Sequence, residues 1–296
     1  MRSARIFRKV ILLLLCLSLL VPVTTAWADA VAGEQVVTLG KDLTSEQRQQ
    51  MLDLFGVKEN EVTIIEVTNQ EEKEVLGDLL SPAVIGSRAI SSARITLTEP
   101  GKGLQVETHN INWVSKSMYI NALITAGVED ADVMVAAPFP VSGTAGLTGI
   151  IKAFEAATDK KLDKERVKVA NEEMVTQAAL GERIGDKEAA AELMARLKEA
   201  IGNQKLSEEQ LRDIIINVAG DLNIQLTDSE IESLLSILQK LQNLNIDWNK
   251  VGQQLQQLQQ QLDQYLDANP EVKNWFIRIL EAIRDFFQNL IAQFSS

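Results

Sequence analysis

Apolar residues recur along this chain at two different periods, and the change of period near residue 160 divides it. Between about Val36 and Thr158, short β-rich runs alternate with amphipathic stretches, the signature of an α/β or α+β unit. Val36-Val37-Thr38-Leu39 predicts a first strand. Thr44-Ser45-Glu46-Gln47 then opens a helix with a capping box, whose buried face is Met51, Leu52 and Phe55 and whose end is Gly56. Val62 to Thr68 predicts a central strand, and Glu71 to Leu80 a helix stopped by Ser81-Pro82. Arg88 to Thr98 and Leu104 to Asn112 predict two further strands, and the intervening Glu99-Pro100-Gly101-Lys102-Gly103 favours an antiparallel hairpin. A helix over Ser117 to Gly127, a strand over Asp132 to Ala137 and a helix over Ala145 to Thr158 complete the unit. The loop Pro138 to Thr144 leads into that last helix.

After Lys160 the β signal vanishes. Ala190, Leu193, Met194, Leu197 and Ile201 recur at steps of three and four on a helix that starts after Gly185, the period of a buried stripe. Two related segments follow, in which Ser207 and Thr227 each stand three residues before Gln210 or Glu230 as helix caps. Their runs end in related turns, Leu222-Asn223-Ile224 and Leu244-Asn245-Ile246, which suggests stacked helical hairpins. Trp248, Val251, Leu255, Leu258, Leu262 and Tyr265 form a glutamine-flanked seam that needs a partner helix. Asn269-Pro270 starts another helix with the same rhythm at Phe276, Leu280, Ile283, Phe287, Leu290 and Phe294, and the simplest solution folds the two together. The expected class is α+β: an N-terminal α/β sandwich over 29–160 with a mixed four- to five-stranded sheet, then an all-α region over 161–296 ending in a hairpin at about 247–294.

The first residues read differently. Arg2, Arg5, Arg8 and Lys9 precede an apolar run from Val10 to Val21, Pro22 breaks it, and Ala26-Trp27-Ala28 offers small residues where a signal peptidase reads. The run is about a dozen residues, short of the roughly twenty that span a bilayer, so residues 1–28 predict a cleaved signal peptide and no transmembrane anchor after cleavage. Cutting after Ala30 is the second choice. Cys16 and His109 are the only residues of their types, so the exported chain has no disulfide, no thiol nucleophile, and no zinc site of the Cys/His kind. No cofactor is implied.

The net charge is −12, and removing the leader deletes four basic residues and no acidic one. A chain this acidic, with basic clusters such as Lys160-Lys161 broken by Asp159 and Asp163, is not built for nucleic acid. Four candidate constellations remain. In Pro138 to Thr144, free N–H groups at Gly143, Thr144 and Ala145 could hold an anion, with Ser142 and Gly146 beside them; a tight turn capped by Ser142 or Thr144 explains the same residues. The glycines match neither a dinucleotide fingerprint nor a P-loop. Glu107 and His109 share one strand face, as base and orienter or as a half-exposed pair. Asp221, Asn223, Gln225, Thr227, Ser229 and Glu232 follow calcium-loop spacing, but Leu226 replaces the required glycine and a helix start explains them equally. The last helix, rich in Trp275, Phe276, Phe286, Phe287 and Phe294, could pack internally or lie in a membrane interface.

Several strings carry a resemblance: Val37-Thr38-Leu39-Gly40-Lys41-Asp42-Leu43 before Leu54-Phe55-Gly56-Val57, then Asn121-Ala122-Leu123-Ile124-Thr125-Ala126-Gly127-Val128, and Pro140-Val141-Ser142-Gly143-Thr144-Ala145-Gly146-Leu147-Thr148-Gly149-Ile150. Together they resemble the secreted YpuA-like family of Gram-positive bacteria, a domain of unknown function (number 1002). The resemblance implies export, a cell-envelope setting and the order of the two regions, and brings no site residues with it. The leading expectation is a secreted, envelope-associated, non-enzymatic protein that binds a ligand, an envelope component or a protein partner, with self-association through its C-terminal helices. Its rivals are a carboxylate-dependent hydrolase of an envelope glycan, with Glu107, Asp130 and Asp132 as the acids nearest a cleft, and a membrane-surface protein held by residues 271–294.

Overall fold

A computed structural model describes residues 32–267; the expected leader and the second helix of the expected C-terminal hairpin lie outside the described residues. The strands are β1 (Gln35–Gly40), β2 (Thr63–Val67), β3 (Ser92–Leu97), β4 (Leu104–Ile111) and β5 (Ala131–Val141). The helices are α1 (Ser45–Phe55), α2 (Asn69–Leu76), α3 (Pro82–Ile85), α4 (Lys116–Ala126), α5 (Thr144–Thr158), α6 (Lys164–Ile184), α7 (Lys187–Ile201), α8 (Glu208–Asp221), α9 (Asp228–Asn243) and α10 (Trp248–Asp267). The fold is α+β, with one mixed five-stranded sheet in the order β2-β1-β3-β5-β4 followed by helices.

Alternation along β1 builds two layers at once. Val37 and Leu39 join Met51, Leu52 and Phe55 of α1 on one face, while Val36 points into the larger core on the other. Thr44 caps α1 in a full capping box and Gly56 closes it in the left-handed region. The β1–α1–β2 and β4–α4–β5 segments each bring two strands together in parallel, and β3 runs antiparallel between β1 and β5.

Two expectations about the sheet are corrected by this order. β3 and β4 do not form a hairpin, because β5 inserts between them. β5 buries Ala131, Val133, Val135, Ala136 and Ala137 on both faces and so fits a central slot, whereas Gln105, Glu107 and His109 of β4 face solvent and suit an edge. β2 is the other edge and not a central strand. Its Glu66 carbonyl, which lacks a neighbouring strand, accepts from Lys152 Nζ at 2.7 Å. Ser81-Pro82, expected only to stop a helix, leads into the short α3; α2 already ends at Gly77.

The larger core does not stop at residue 160. It continues from Ile95, Val133 and Leu147 through Met174, Leu193 and Leu197 to Leu211, Leu238 and Leu255. Ser207 and Thr227 cap α8 and α9 in capping boxes. Of the residues with calcium-loop spacing, Thr227 is the cap of α9 and Glu232 pairs with Arg212 at 2.7 Å, and among the described residues no group of three or more His, Cys, Asp or Glu is placed to hold a metal ion. Val251, Leu255 and Leu258 of the glutamine-flanked seam are buried in this same core beside α4 and α7, so the described part of the seam finds its partner inside the fold. No described helix is long and apolar enough to cross a membrane.

Candidate functional site

β5 outruns its neighbour. Its pairing with β3 ends at Ala136, so Pro138 and Pro140 stand in the strand where no β3 partner needs their missing N–H. This corrects the expected loop, since the strand continues to Val141. Opposite it, β4 is bulged between His109 and Ile111; Asn110 takes φ 58°, and its Nδ2 donates to the Ala137 carbonyl at 2.9 Å. The bulge lets the chain resume alongside β5, where Asn112 N donates to Val141 O at 2.9 Å and Val114 N to Ser142 O at 3.1 Å. Segments 112–113 and 139–142 are thereby zipped into one wall.

The turn from β5 into α5 is held from below. Gly143, at φ 93°, is the cap residue, and a Cβ there would lie 2.4 Å from Ile111 Cγ2. Tyr119, fully buried on α4, donates its hydroxyl to the Gly143 carbonyl, and a Cβ on Gly146 would lie 2.5 Å from that same oxygen. Burial pushes the Tyr119 phenol well above its ordinary range. Neither Ser142 nor Thr144 caps α5, contrary to expectation, because Thr144 is engaged elsewhere: its Oγ1 donates to Glu72 Oε1 at 2.6 Å.

Glu72 comes from α2, whose capping box at Thr68 sets the helix so that Glu72 and Leu76, one turn apart, face inward. Only 1% of Glu72 is exposed. Burial raises its carboxyl pKa above the usual range, and the bonds from Thr144 and Asn69 and the charge of Lys73 pull back against this. Ser142 Oγ lies 3.2 Å from Thr144 Oγ1, which extends the chain of polar groups outward from Glu72.

Above these groups opens a cleft of about 520 Å³, a usual size for a ligand pocket. Its walls are segments 84–91, 112–113 and 139–142, and Glu72, Thr144 and Ala145 lie at its base. Segment 84–91 is tied in place by Ala89 N donating to Asp42 Oδ2 at 2.7 Å and by Ser142 Oγ reaching the Val84 carbonyl at 3.5 Å. Two further charges stand on the cleft. Glu182 of α6 accepts from Trp113 Nε1 at 2.9 Å, and the exposed Arg88 guanidinium lies 6.0 Å from the Phe139 ring centroid. The cleft lies outside the carboxyl ends of β4 and β5, where open α/β sheets characteristically bind ligands.

The structure thus separates the six residues singled out from the sequence. Ser142 and Thr144 line the cleft; Gly143 and Gly146 lie just behind, against Tyr119; Glu107 and His109 are on the solvent face of the edge strand β4, away from the cleft lining. Asp130 and Asp132, expected as cleft acids with Glu107, are at the opposite end of β5, and Asp130 Oδ1 accepts from Gly103 N at 2.7 Å. The acids on the cleft are Glu72 and Glu182. Glu72 carried a readable signal, a carboxylate one turn before Leu76 on the inward stripe of a short helix; Arg88, Trp113 and Glu182 meet only through tertiary packing.

The model of a family described as a protein of unknown function (DUF1002) matches residues 39–258. The chain is also 43% identical over 276 residues to the uncharacterized protein YpuA of Bacillus subtilis (strain 168), an alignment that covers 93% of this chain and 92% of that one. No solved structure matches the chain.

Proposed function

The chain belongs to the DUF1002 family of proteins of unknown function, and from that premise we propose that it is an exported, envelope-associated binding protein that takes a ligand in the cleft at the end of β5. The observation that carries this reading is the cleft itself: a concave site with an apolar lining from Val84, Ile85, Ile90 and Phe139, a few convergent polar groups, and a base stiffened by Tyr119 and Glu72. The basic head, apolar run and Ala26-Trp27-Ala28 support export. The binding role is preferred to catalysis because, among the described residues, the lining of the cleft includes no histidine, lysine or cysteine to serve as a base or nucleophile with the Glu72 carboxylate.

The test uses the mature chain from residue 29. Envelope fragments of three chemistries (glycan, peptide and polyol phosphate) are titrated while thermal stability is followed, against a Ser87→Trp variant that fills the cleft from its exposed rim. Saturable stabilisation by one class, lost in the variant, is the expected result. Stabilisation that survives Ser87→Trp, or none by any class, contradicts the proposal.

One observation favours a second reading. Glu72 and Glu182 stand on the same cleft in opposite environments, one buried with its pKa raised and one exposed, as glycosidases arrange an acid and its partner carboxylate. Release of reducing ends from wall glycan that disappears in Glu72→Gln would move the protein to that class.

A further inference from the structure

The cleft carries charges of both signs that do not neutralise each other. Among the described residues neither Glu72 nor Arg88 takes part in an ion pair, although both line the same cavity. Glu72 is almost fully buried, and its hydrogen-bond partners are the neutral side chains of Thr144 and Asn69. Arg88 is exposed, and its contact is the face of Phe139, which attracts a cation without consuming its hydrogen-bond donors. The N-terminal end of α5, where a simple anion would otherwise sit, already faces the Glu72 carboxyl through Thr144. A purely anionic ligand would meet that group at the base of the cleft. A purely neutral one would leave Glu72 and Arg88 unmatched, whereas Glu182 already accepts from Trp113 Nε1.

We infer that the cleft receives a zwitterion, a free amino acid or short peptide whose ammonium is taken by Glu72 and the Ser142 hydroxyl and whose carboxylate is taken by Arg88 at the rim. The inference rests on the reading of this cleft as the ligand site and adds the chemistry of the ligand. Both ends are then recognised by charge-assisted hydrogen bonds, of which the guanidinium can supply two in parallel to one carboxylate. Val84, Ile85 and Ile90 leave an apolar lining for the side chain between the ends.

The experiment is calorimetric titration of the mature chain with dialanine of either chirality, with its N-acetyl derivative and with its C-terminal amide. The free dipeptide is expected to bind, and each blocked form to bind about tenfold more weakly or worse, the loss of one charge-assisted pair. Glu72→Gln, which keeps an acceptor for Thr144, should weaken the free dipeptide to the level of the acetylated one and leave the acetylated one unchanged. Arg88→Met should do the same with respect to the amide. Thermal melts of both variants check that they fold. Blocked and free forms binding alike, or variants that weaken all three probes equally, overturn the inference. So does the absence of binding by dialanine; in that case saturable binding of another envelope fragment, abolished by Ser87→Trp, leaves the cleft as a ligand site with a different ligand, and the absence of that too removes both readings.

Discussion

At the scale of single residues, the β5–α5 turn shows why its string of small residues is there. Gly146 has no room for a Cβ, which would lie 2.5 Å from the Tyr119 hydroxyl and 2.7 Å from Val135 Cγ1. Gly146→Ala is therefore expected to cost about 1–3 kcal/mol in denaturant unfolding. Tyr119→Phe removes one of the two obstacles and should recover part of that loss, so the two substitutions will be non-additive. Glu72 yields a prediction of opposite sign. Its folded pKa is raised from 4.5, so its contribution to stability is fully present below that value and is lost as pH rises through the folded pKa. Glu72→Gln should flatten the pH dependence of stability in this window and be at least as stable as the wild type at pH 7, as followed by melting temperature. The small residues of this turn were legible in the sequence, but the obstacles that require them were not, because Tyr119 and Ile111 approach from other elements of the chain.

At the scale of elements, helix boundaries were legible wherever a local device fixed them. Thr44, Ser207 and Thr227 all cap through boxes that lie within four residues. The order of strands was not legible, since Glu99 to Gly103 reads as a hairpin turn locally and only the apolar faces of β5 decide that it enters between β3 and β4. Nor did periodicity reveal the polar network that joins α4, α6 and α7. There Lys198 Nζ donates to Asn121 O at 2.8 Å, to Thr125 Oγ1 at 3.2 Å and to Glu173 Oε1 at 2.9 Å. Both ionic side chains are buried, and burial pushes the Glu173 carboxyl up and the Lys198 amine down while their attraction opposes both shifts. Lys198→Met alone leaves Glu173 buried without its cation and should cost about 3–5 kcal/mol, whereas Lys198→Met with Glu173→Leu should recover most of that. Equal destabilisation by the single and the double variant in urea would show that the pair is a net source of stability.

At the scale of the whole molecule, one apolar core links the sheet to the helical C-terminal half, and the cleft is positioned by both: α2, β4 and β5 come from the first, and Glu182 of α6 from the second. The single cysteine, read from the sequence, leaves the fold to be held together by packing without an intrachain disulfide. Export predicts that protein recovered from the medium or wall of a Gram-positive host begins at Asp29 or Val31 by N-terminal sequencing; a stable cellular form beginning at Met1 would contradict it. Two of the six residues singled out from sequence reached the cleft, because Ser142 and Thr144 belong to the strand-to-helix turn that builds it. The lining as a whole is assembled from five separated stretches of chain, which no local pattern connects. The most direct measurement is hydrogen–deuterium exchange of the mature chain with and without a saturating envelope fragment. Binding in this cleft predicts new protection confined to segments 84–91, 112–114 and 139–146, whereas protection centred on α8 and α9, or on the solvent face of β4, would place the working surface elsewhere.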